Sequence, residues 1–302
     1  DDGDGVGGRD MIVALLVLLC VAIGVGVLYW LLVVTEGAYL GPRAVAFLYD
    51  RGAGSYDQVK DFDLVDDAWD LAMPLQKALK GIRRPLILDV ATGTGRLPLA
   101  LLRNLDFDGH ILGLDISFKM LQEARRKTAG REDRVTLLWM DGLTLRFLDN
   151  SFDAVSCVEA LEFMADPRLA LGEMARVLRP GGTLLATNRI GLDALLMPGR
   201  RFSADQLRKL ISSLGFTSVE VKRWQTYYDL VWTRKDGRSS LGGRSRELQD
   251  VLCCPRCSEA SLRWESGALS CQRCGLVYPV EKGIICLERP LDKAELGVFA
   301  AT

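Results

Sequence analysis

Asp89-Val90-Ala91-Thr92-Gly93-Thr94-Gly95 is the stretch on which the fold turns. It closes the apolar run Leu86 to Val90 and leads into a helical pattern from Leu97 to Asn104, so it is the turn from a buried strand into a helix. Glycines two residues apart let the backbone approach a ligand closely, and the next helix start aims N–H groups at it. A dinucleotide fingerprint needs a third Gly or Ala at residue 98, and Pro98 stands there.

Downstream the unit repeats. Strands are predicted at His110 to Asp115, Thr136 to Trp139, Ala154 to Val158 and Thr183 to Asn188, with helices at Phe118 to Ala129 and Pro167 to Leu178. Apolar strand, turn and helix in alternation give an α/β fold, a Rossmann-like parallel sheet with helices on both faces. After a helix at Ser203 to Leu214 and a stop at Gly215, two β-rich runs follow, Ser218 to Trp224 and Tyr228 to Thr233. They bring the expected sheet to seven strands, and the closing strand pair separates it from an ordinary dinucleotide fold.

Acids sit at successive strand ends. Asp115 ends the second strand twenty residues after Gly95, where a carboxylate accepts from ribose hydroxyls. Asp141-Gly142 ends the third, where a carboxylate can accept from an adenine amino group and the glycine leaves room for the ring. Asp89, ahead of the glycines, suits an ammonium better than a pyrophosphate. Helix caps are the bland alternative for Asp115 and Asp141, and three acids at three strand ends argue against it. A ligand with adenine, ribose and a cationic amino-acid tail fits all three.

With these residues the chain resembles the class I S-adenosylmethionine-dependent methyltransferases across roughly Tyr39 to Lys235. The resemblance rests on the glycine loop, on Gly113-Leu114-Asp115-Ile116-Ser117 and on Ser151-Phe152-Asp153-Ala154-Val155 followed by Glu159-Ala160-Leu161-Glu162-Phe163. Glu173-Met174-Ala175-Arg176-Val177-Leu178-Arg179-Pro180-Gly181-Gly182 completes it in the family's order. It implies that Asp89, Ala91, Gly93 and Gly95 hold the methionine part, Asp115 and Ile116 the ribose and adenine, and Asp141 with Gly142 the adenine edge. Ala91 departs from the family where many members carry the first glycine. The pairs Tyr49-Asp50 and Tyr56-Asp57 resemble the ubiquinone/menaquinone C-methyltransferase-like and phospholipid N-methyltransferase-like branch.

Methyl transfer from an activated sulfonium relies mainly on in-line positioning. Glu159 is the candidate catalytic base where an acceptor must lose a proton, with a solvated helix position as its alternative. His110, the only histidine, precedes a strand and reads as structural.

The C-terminal cysteines carry a second signal. Cys254-Pro255-Arg256-Cys257 and Cys271-Gln272-Arg273-Cys274 are separated by thirteen residues, a spacing that presents four thiolates to one zinc ion. Disulfides are the alternative, and a reducing compartment argues against them. Cys253 adjoins the first knuckle outside its spacing, and Cys20, Cys157 and Cys286 read as buried or membrane-facing thiols. Leu252 to Leu287, with Cys274-Gly275-Leu276-Val277-Tyr278-Pro279-Val280 and Gly283-Ile284, resembles the zinc-ribbon family that includes the small activator subunit of tRNA and translation-factor methyltransferases. It departs where members have proline after the Gly-Ile pair, since Ile285-Cys286 follows here. The resemblance implies a ribbon that packs on a methyltransferase and stabilises it, an activator fused in cis.

At the other end, Met11 to Val34 is 24 residues without a charge, 16 of them Leu, Ile or Val. At about 1.5 Å per residue it extends roughly 36 Å, enough to cross a hydrocarbon core of about 30 Å. A cleaved signal peptide would be shorter and led by basic residues, whereas Asp1, Asp2, Asp4 and Asp10 outweigh Arg9. With Arg43 and Arg51 on the far side, the expected topology is single-pass, with the catalytic and zinc domains cytoplasmic.

The expected organisation is therefore an acidic tail at 1–10, a transmembrane helix at 11–34, a helical cap at 35–84, a core at 85–235, a linker at 236–246, a zinc ribbon at 247–290 and a tail at 291–302. With 38 Lys plus Arg against 39 Asp plus Glu, bulk charge gives no attraction for nucleic acid. The expected function is membrane-anchored methyl transfer from S-adenosylmethionine to a lipophilic acceptor such as a quinone precursor or a lipid, with zinc in the ribbon. Protein or RNA as acceptor, and a non-catalytic subunit of a membrane-protein complex, are the alternatives.

Overall fold

The computed structural model describes residues 4–60, 62–104, 106–238, 247–265 and 267–291. Parts of the expected linker (239–246) and C-terminal tail (292–302) lie outside the described residues. Among the described residues one mixed sheet of nine strands organises the molecule. Its first seven are β1 (Leu86–Val90), β2 (His110–Asp115), β3 (Val135–Trp139), β4 (Phe152–Cys157), β5 (Leu178–Arg189), β6 (Phe216–Gln225) and β7 (Tyr228–Lys235). They lie in the spatial order β3-β2-β1-β4-β5-β7-β6. The strands from β3 to β5 pair in parallel, and β7 pairs antiparallel with both β5 and β6.

Burial explains the sequence pattern. Every residue of β1 and of β4 is buried, so helices cover both sheet faces and the strands read as continuous apolar runs. Helix starts are capped by side chains: Ser117 accepts from the Met120 N–H, Asp166 from those of Arg168 and Leu169, and Ser203 with Gln206 forms a capping box. The connections from β1 and β4 diverge to opposite sides, which opens a crevice outside their carboxyl ends.

The seven expected strands are extended by two more. β8 (Leu262–Glu265), β9 (Ala268–Cys271) and β10 (Val277–Tyr278) make a small antiparallel sheet of their own. β11 (Val280–Glu281) and β12 (Ile284–Cys286) leave it and join the large sheet, with Ile284, Ile285 and Cys286 opposite Leu137, Leu138 and Trp139 of β3 in parallel register. An otherwise open edge strand is thereby paired, which removes a site of edge-to-edge association. The Cys253 N–H donates to the Arg146 carbonyl at 2.7 Å, and Leu252, Tyr278, Ile285 and Leu287 share one hydrophobic core with Phe147 and Phe152. The ribbon is packed on the catalytic core, not merely tethered to it.

At the N-terminal end the helix already starts at Asp4, inside the stretch expected as a tail, and runs to Tyr29 before a π-helical turn at Trp30–Val34. Over Arg9–Val34 it is long and apolar enough to cross a membrane, with mean hydropathy 3.1 and no buried side chain in its apolar stretch. The amphipathic stretch expected as one helix from Leu64 to Leu79 is α-helical at Leu64–Asp67 and Met73–Ala78 with a π-helical segment, Ala68–Ala72, between them. Pro74 near the start of the last piece has no N–H to continue the regular ladder.

Candidate functional site

The crevice at the ends of β1 to β4 holds a cavity of about 730 Å³, counting the open space at its mouth. Ala91, Gly93, Asp115, Ile116, Asp141, Gly142 and Glu159 all line it, together with an apolar wall of Pro42, Val45, Phe163, Met164 and others. A smaller recess opens beside it, lined by Asp89, Thr92, Thr94, Arg96 and Phe62, and the two share Tyr56, Ala91, Gly93, Val158 and Glu159. Sequence-distant residues thus converge on one site, with Asp89 in its side recess, whereas Gly95 lines neither space: it stands at φ +89° before the helix Arg96–Leu102, where a Cβ would lie 3.3 Å from that of Ala124.

The loop is held by the acids themselves. Asp115 Oδ2 accepts from the Gly93 N–H at 2.9 Å and Oδ1 from the Ser117 N–H at 2.8 Å. Each carboxylate oxygen keeps a second acceptor site, so Asp115 can orient the turn and still receive ligand hydroxyls. Asp89 takes the Thr92 and Ser156 hydroxyls at 2.6 and 2.7 Å. Burial pushes the Asp89 carboxyl up to about 6 against these two hydrogen bonds, and burial likewise pushes Asp115 up to about 6.

Glycine positions have specific causes. Ala91 sits at φ +56°, a left-handed conformation that costs an L-residue about 1–2 kcal/mol and explains why glycine suits this position. A Cβ on Gly142 would come within 2.9 Å of Val90 Cγ1. The missing side chain at Gly142 is therefore demanded first by packing on β1, in addition to the ring space expected from sequence.

Asp141 joins the ribbon to the cavity. Its carboxylate accepts from the Leu143 N–H at 2.9 Å, while its own N–H donates to Glu288 Oε1 at 3.0 Å. Next to it the Leu287 N–H donates to the Trp139 carbonyl. The C-terminal segment therefore touches the rim of the site directly.

Glu159 is on the cavity wall at φ +53°, its N–H bonded to Thr187 Oγ1. Its carboxylate is 2.5 Å from Arg96, whose guanidinium also grips Asp67 at 2.7 Å and lies over the Phe62 and Trp224 rings. A carboxylate committed to a buried ion pair gives up that partner before it can take a substrate proton. Sequence reasoning missed this Asp67–Arg96–Glu159 cluster because its members are far apart in the chain. His110, by contrast, lies at the opposite end of β2 from Asp115, bonded to the Asp133 carbonyl and Thr136 hydroxyl.

The Tyr-Asp pairs are the latch of the cap. Asp50 accepts from the Ser117 hydroxyl at 2.6 Å and from the Lys119 N–H, and Asp57 accepts from the Thr94 hydroxyl at 2.5 Å and pairs with Lys127. Tyr49 and Tyr56 line the cavity, and burial raises both phenols above their ordinary range, so they remain protonated donors. The Tyr49 hydroxyl donates to Glu36 at 2.6 Å.

In the ribbon, Cys254, Cys257, Cys271 and Cys274 gather their sulfurs within 4.8 Å of one another. The Cys254–Cys274 and Cys257–Cys271 sulfurs are each 3.6 Å apart. Tetrahedral ligands at about 2.3 Å from a zinc ion stand roughly 3.8 Å apart, so the four thiols can hold such an ion with little movement. Cys253, Cys157 and Cys286 are buried elsewhere, and Cys20 is exposed on the N-terminal helix.

A glycine loop between buried strand and helix, acids at the next strand ends and a sheet ending in an antiparallel pair define an S-adenosylmethionine-dependent methyltransferase. Residues 88–186 match the Methyltransferase domain family and residues 245–283 the Trm112p-like protein family. A demethylmenaquinone methyltransferase from Clavibacter sepedonicus is 30% identical over 220 residues, 68% of this chain and 86% of that protein. One from Thermus thermophilus is 44% identical over 118 residues, 39% of this chain and half of that protein. The chain belongs to the class I S-adenosylmethionine-dependent methyltransferases, in their ubiquinone/menaquinone C-methyltransferase-like branch. The solved cyclase SpnF shares the fold at a TM-score of 0.53 and 20% identity, over 65% of this chain and 96% of that one.

Proposed function

We propose that this protein is a membrane-anchored methyltransferase that modifies a lipophilic acceptor of the quinone-precursor or lipid type. The observation that carries the proposal is the apolar wall of the cavity, Pro42, Val45, Phe163 and Met164, in a domain whose N-terminal helix is long enough to span a bilayer. The named activity of the two relatives, on demethylmenaquinone, supports the same class of acceptor. With the acidic end outside and Arg43 and Arg51 inside, the catalytic and zinc domains are cytoplasmic.

S-adenosylmethionine, when bound, supplies a methyl group already activated on a sulfonium. Asp115 and Ile116 would hold its ribose and adenine, Asp141 and Gly142 the adenine edge, and Asp89 with Ala91 and Gly93 the amino-acid tail, with Gly95 shaping the turn behind them. Tyr49 and Tyr56, latched through Asp50 and Asp57, close the cap over the site and exclude water. Glu159, through Arg96, positions the wall of the side recess, and its service as a base requires that the Arg96 pair open. Zinc on Cys254, Cys257, Cys271 and Cys274 would fix the ribbon, and the ribbon acts as an activator in cis through β12 and Glu288.

The pH dependence follows from the two raised carboxyls. Each is held at about 6 in the fold against an ordinary 3.8, so the ligand-free fold binds protons more tightly than the unfolded chain. These groups therefore favour the ligand-free fold progressively as pH falls from about 6 towards 3.8, and disfavour it above. Cofactor affinity runs the other way, because ribose hydroxyls and ammonium require the ionised acids. Calorimetric titration is expected to give an affinity close to its maximum at pH 7 and one roughly tenfold weaker at pH 5 for each group required. A flat profile would remove the two acids from the binding site.

The anchor makes a separate prediction. Removing residues 1–34 is expected to move the protein to the soluble fraction and to raise the apparent KM for an acceptor dissolved in vesicles at least tenfold, on the order of the local concentration a membrane tether provides. Cofactor affinity stays the same, and an unchanged KM would contradict a role for the span in delivering the acceptor.

A further inference from the structure

At its far end the N-terminal helical segment is tied to the catalytic domain by a group of polar and ring contacts. Trp30 Nε1 donates to the Leu196 carbonyl at 2.9 Å, the Trp30 ring stacks on Tyr39 at 5.0 Å, and the Tyr39 hydroxyl donates to the Pro198 carbonyl at 2.7 Å. The segment held there, 191–201, contains the short helix Leu192–Leu195. Ala194 and Met197 are buried on its inner side, whereas Leu192, Leu195 and Leu196 are 81%, 53% and 48% exposed. Their spacing of three and four residues puts the three leucines on one face.

Depth decides what covers that face. A helix of 24 uncharged residues is a little longer than the hydrocarbon core, so a tryptophan near its end sits in the headgroup region. A carbonyl bonded to that indole is at the same depth, and leucines beside it meet the boundary between headgroups and acyl chains. Arg201 in the same segment and Arg43, just past Tyr39, are exposed cations suited to anionic lipid, with Asp193 the single acid of the segment.

From this continuity with the span we infer that 191–201 is a second membrane contact, a leucine face that rests on the bilayer surface and seats the acceptor end of the cavity against it. The inference rests on the membrane reading of residues 11–34. The inner side of the segment carries the connection onward. Arg200 donates to the Met164 carbonyl and, at 2.7 Å, to that of Ala38, and Met197 clusters with Ala38 and Phe163. Phe163 and Met164 are cavity wall, so a lipophilic acceptor passes from lipid to an apolar lining with little exposure to water.

The test uses the full chain in vesicles of phosphatidylcholine and phosphatidylglycerol that carry a diazirine phospholipid, photolysed and mapped by peptide mass spectrometry. Lipid adducts are expected in both 11–34 and 191–201. The variant L192S/L195S/L196S is expected to lose at least four-fifths of the adducts in 191–201, keep those in 11–34 and bind S-adenosylmethionine as before. Adducts in 11–34 with none in 191–201 would overturn the inference and leave the anchor standing. Adducts in neither would remove the anchor and the inference with it, and cross-links from 191–201 to another protein chain would assign the leucine face to a protein partner instead. The map of the unsubstituted chain decides these outcomes even where the variant fails to fold.

Discussion

Serine in place of Cys271 is expected to unfold the ribbon and to loosen a strand of the catalytic sheet that contains no cysteine. A zinc ion on the four thiolates would contribute on the order of 10 kcal/mol of folding free energy to so small a unit, which its apolar core cannot replace. β12 is held at its place by the ribbon, and its loss leaves the β3 edge open at Leu137, Leu138 and Trp139. Hydrogen exchange at the Leu137 and Trp139 amides, which face β12, is expected to accelerate roughly a hundredfold or more, as local opening replaces global unfolding, whereas Leu138, whose N–H faces β2, changes less. Asp141 also loses the Glu288 acceptor, worth about 0.5–1.5 kcal/mol, so cofactor affinity falls roughly two- to tenfold. A chelator should reproduce both effects in the unsubstituted protein, and removal of residues 247–302 should lower solubility as well. Unchanged exchange in β3 would show that the ribbon is not an integral part of the catalytic fold.

Asp115→Ala is the second large effect. The carboxylate does two things: it fixes the Gly93 and Ser117 amides, and it offers its remaining acceptor sites to the ligand. Losing both is expected to weaken S-adenosylmethionine binding by about 1–3 kcal/mol, roughly five- to 150-fold. The ligand-free variant should not be correspondingly destabilised, because a buried carboxyl held at about 6 is itself unfavourable to the fold at neutral pH. Titration calorimetry and thermal melts on the same samples separate these two consequences. Tight binding by a folded Asp115→Ala protein would take the ribose contact away from this residue.

The parts that were legible in the sequence are those with local periodicity. β1 and β2 fall on the expected residues because fully buried strands are bounded by a turn on each side, and the acids follow from strand ends. β4 runs from Phe152 to Cys157, starting two residues before its expected start and leaving Val158 outside, and β5 is longer than its apolar run because Arg179-Pro180-Gly181-Gly182, polar and turn-like, sits inside it. The joining of β12 to β3 was not legible: three residues have no period, and their partner is more than a hundred residues away. The Tyr-Asp pairs were visible as a family mark, but only the fold shows them clamping the cap onto Ser117 and Thr94. Glu159 stands out in the sequence as an acid just after β4, but Arg96, which occupies its carboxylate, is 63 residues away and meets it only in the fold.

The acceptor defines the activity, and the fate of a labelled methyl group identifies it. The full-length protein, reconstituted in vesicles made from a membrane lipid extract, is supplied with methyl-labelled S-adenosylmethionine, and the products are partitioned into organic solvent and analysed by mass spectrometry. Label is expected in the organic phase, on a lipid-soluble species of the quinone-precursor or lipid class that gains one methyl group. Label confined to protein or RNA, or no transfer by protein that binds the cofactor, would contradict a lipophilic acceptor.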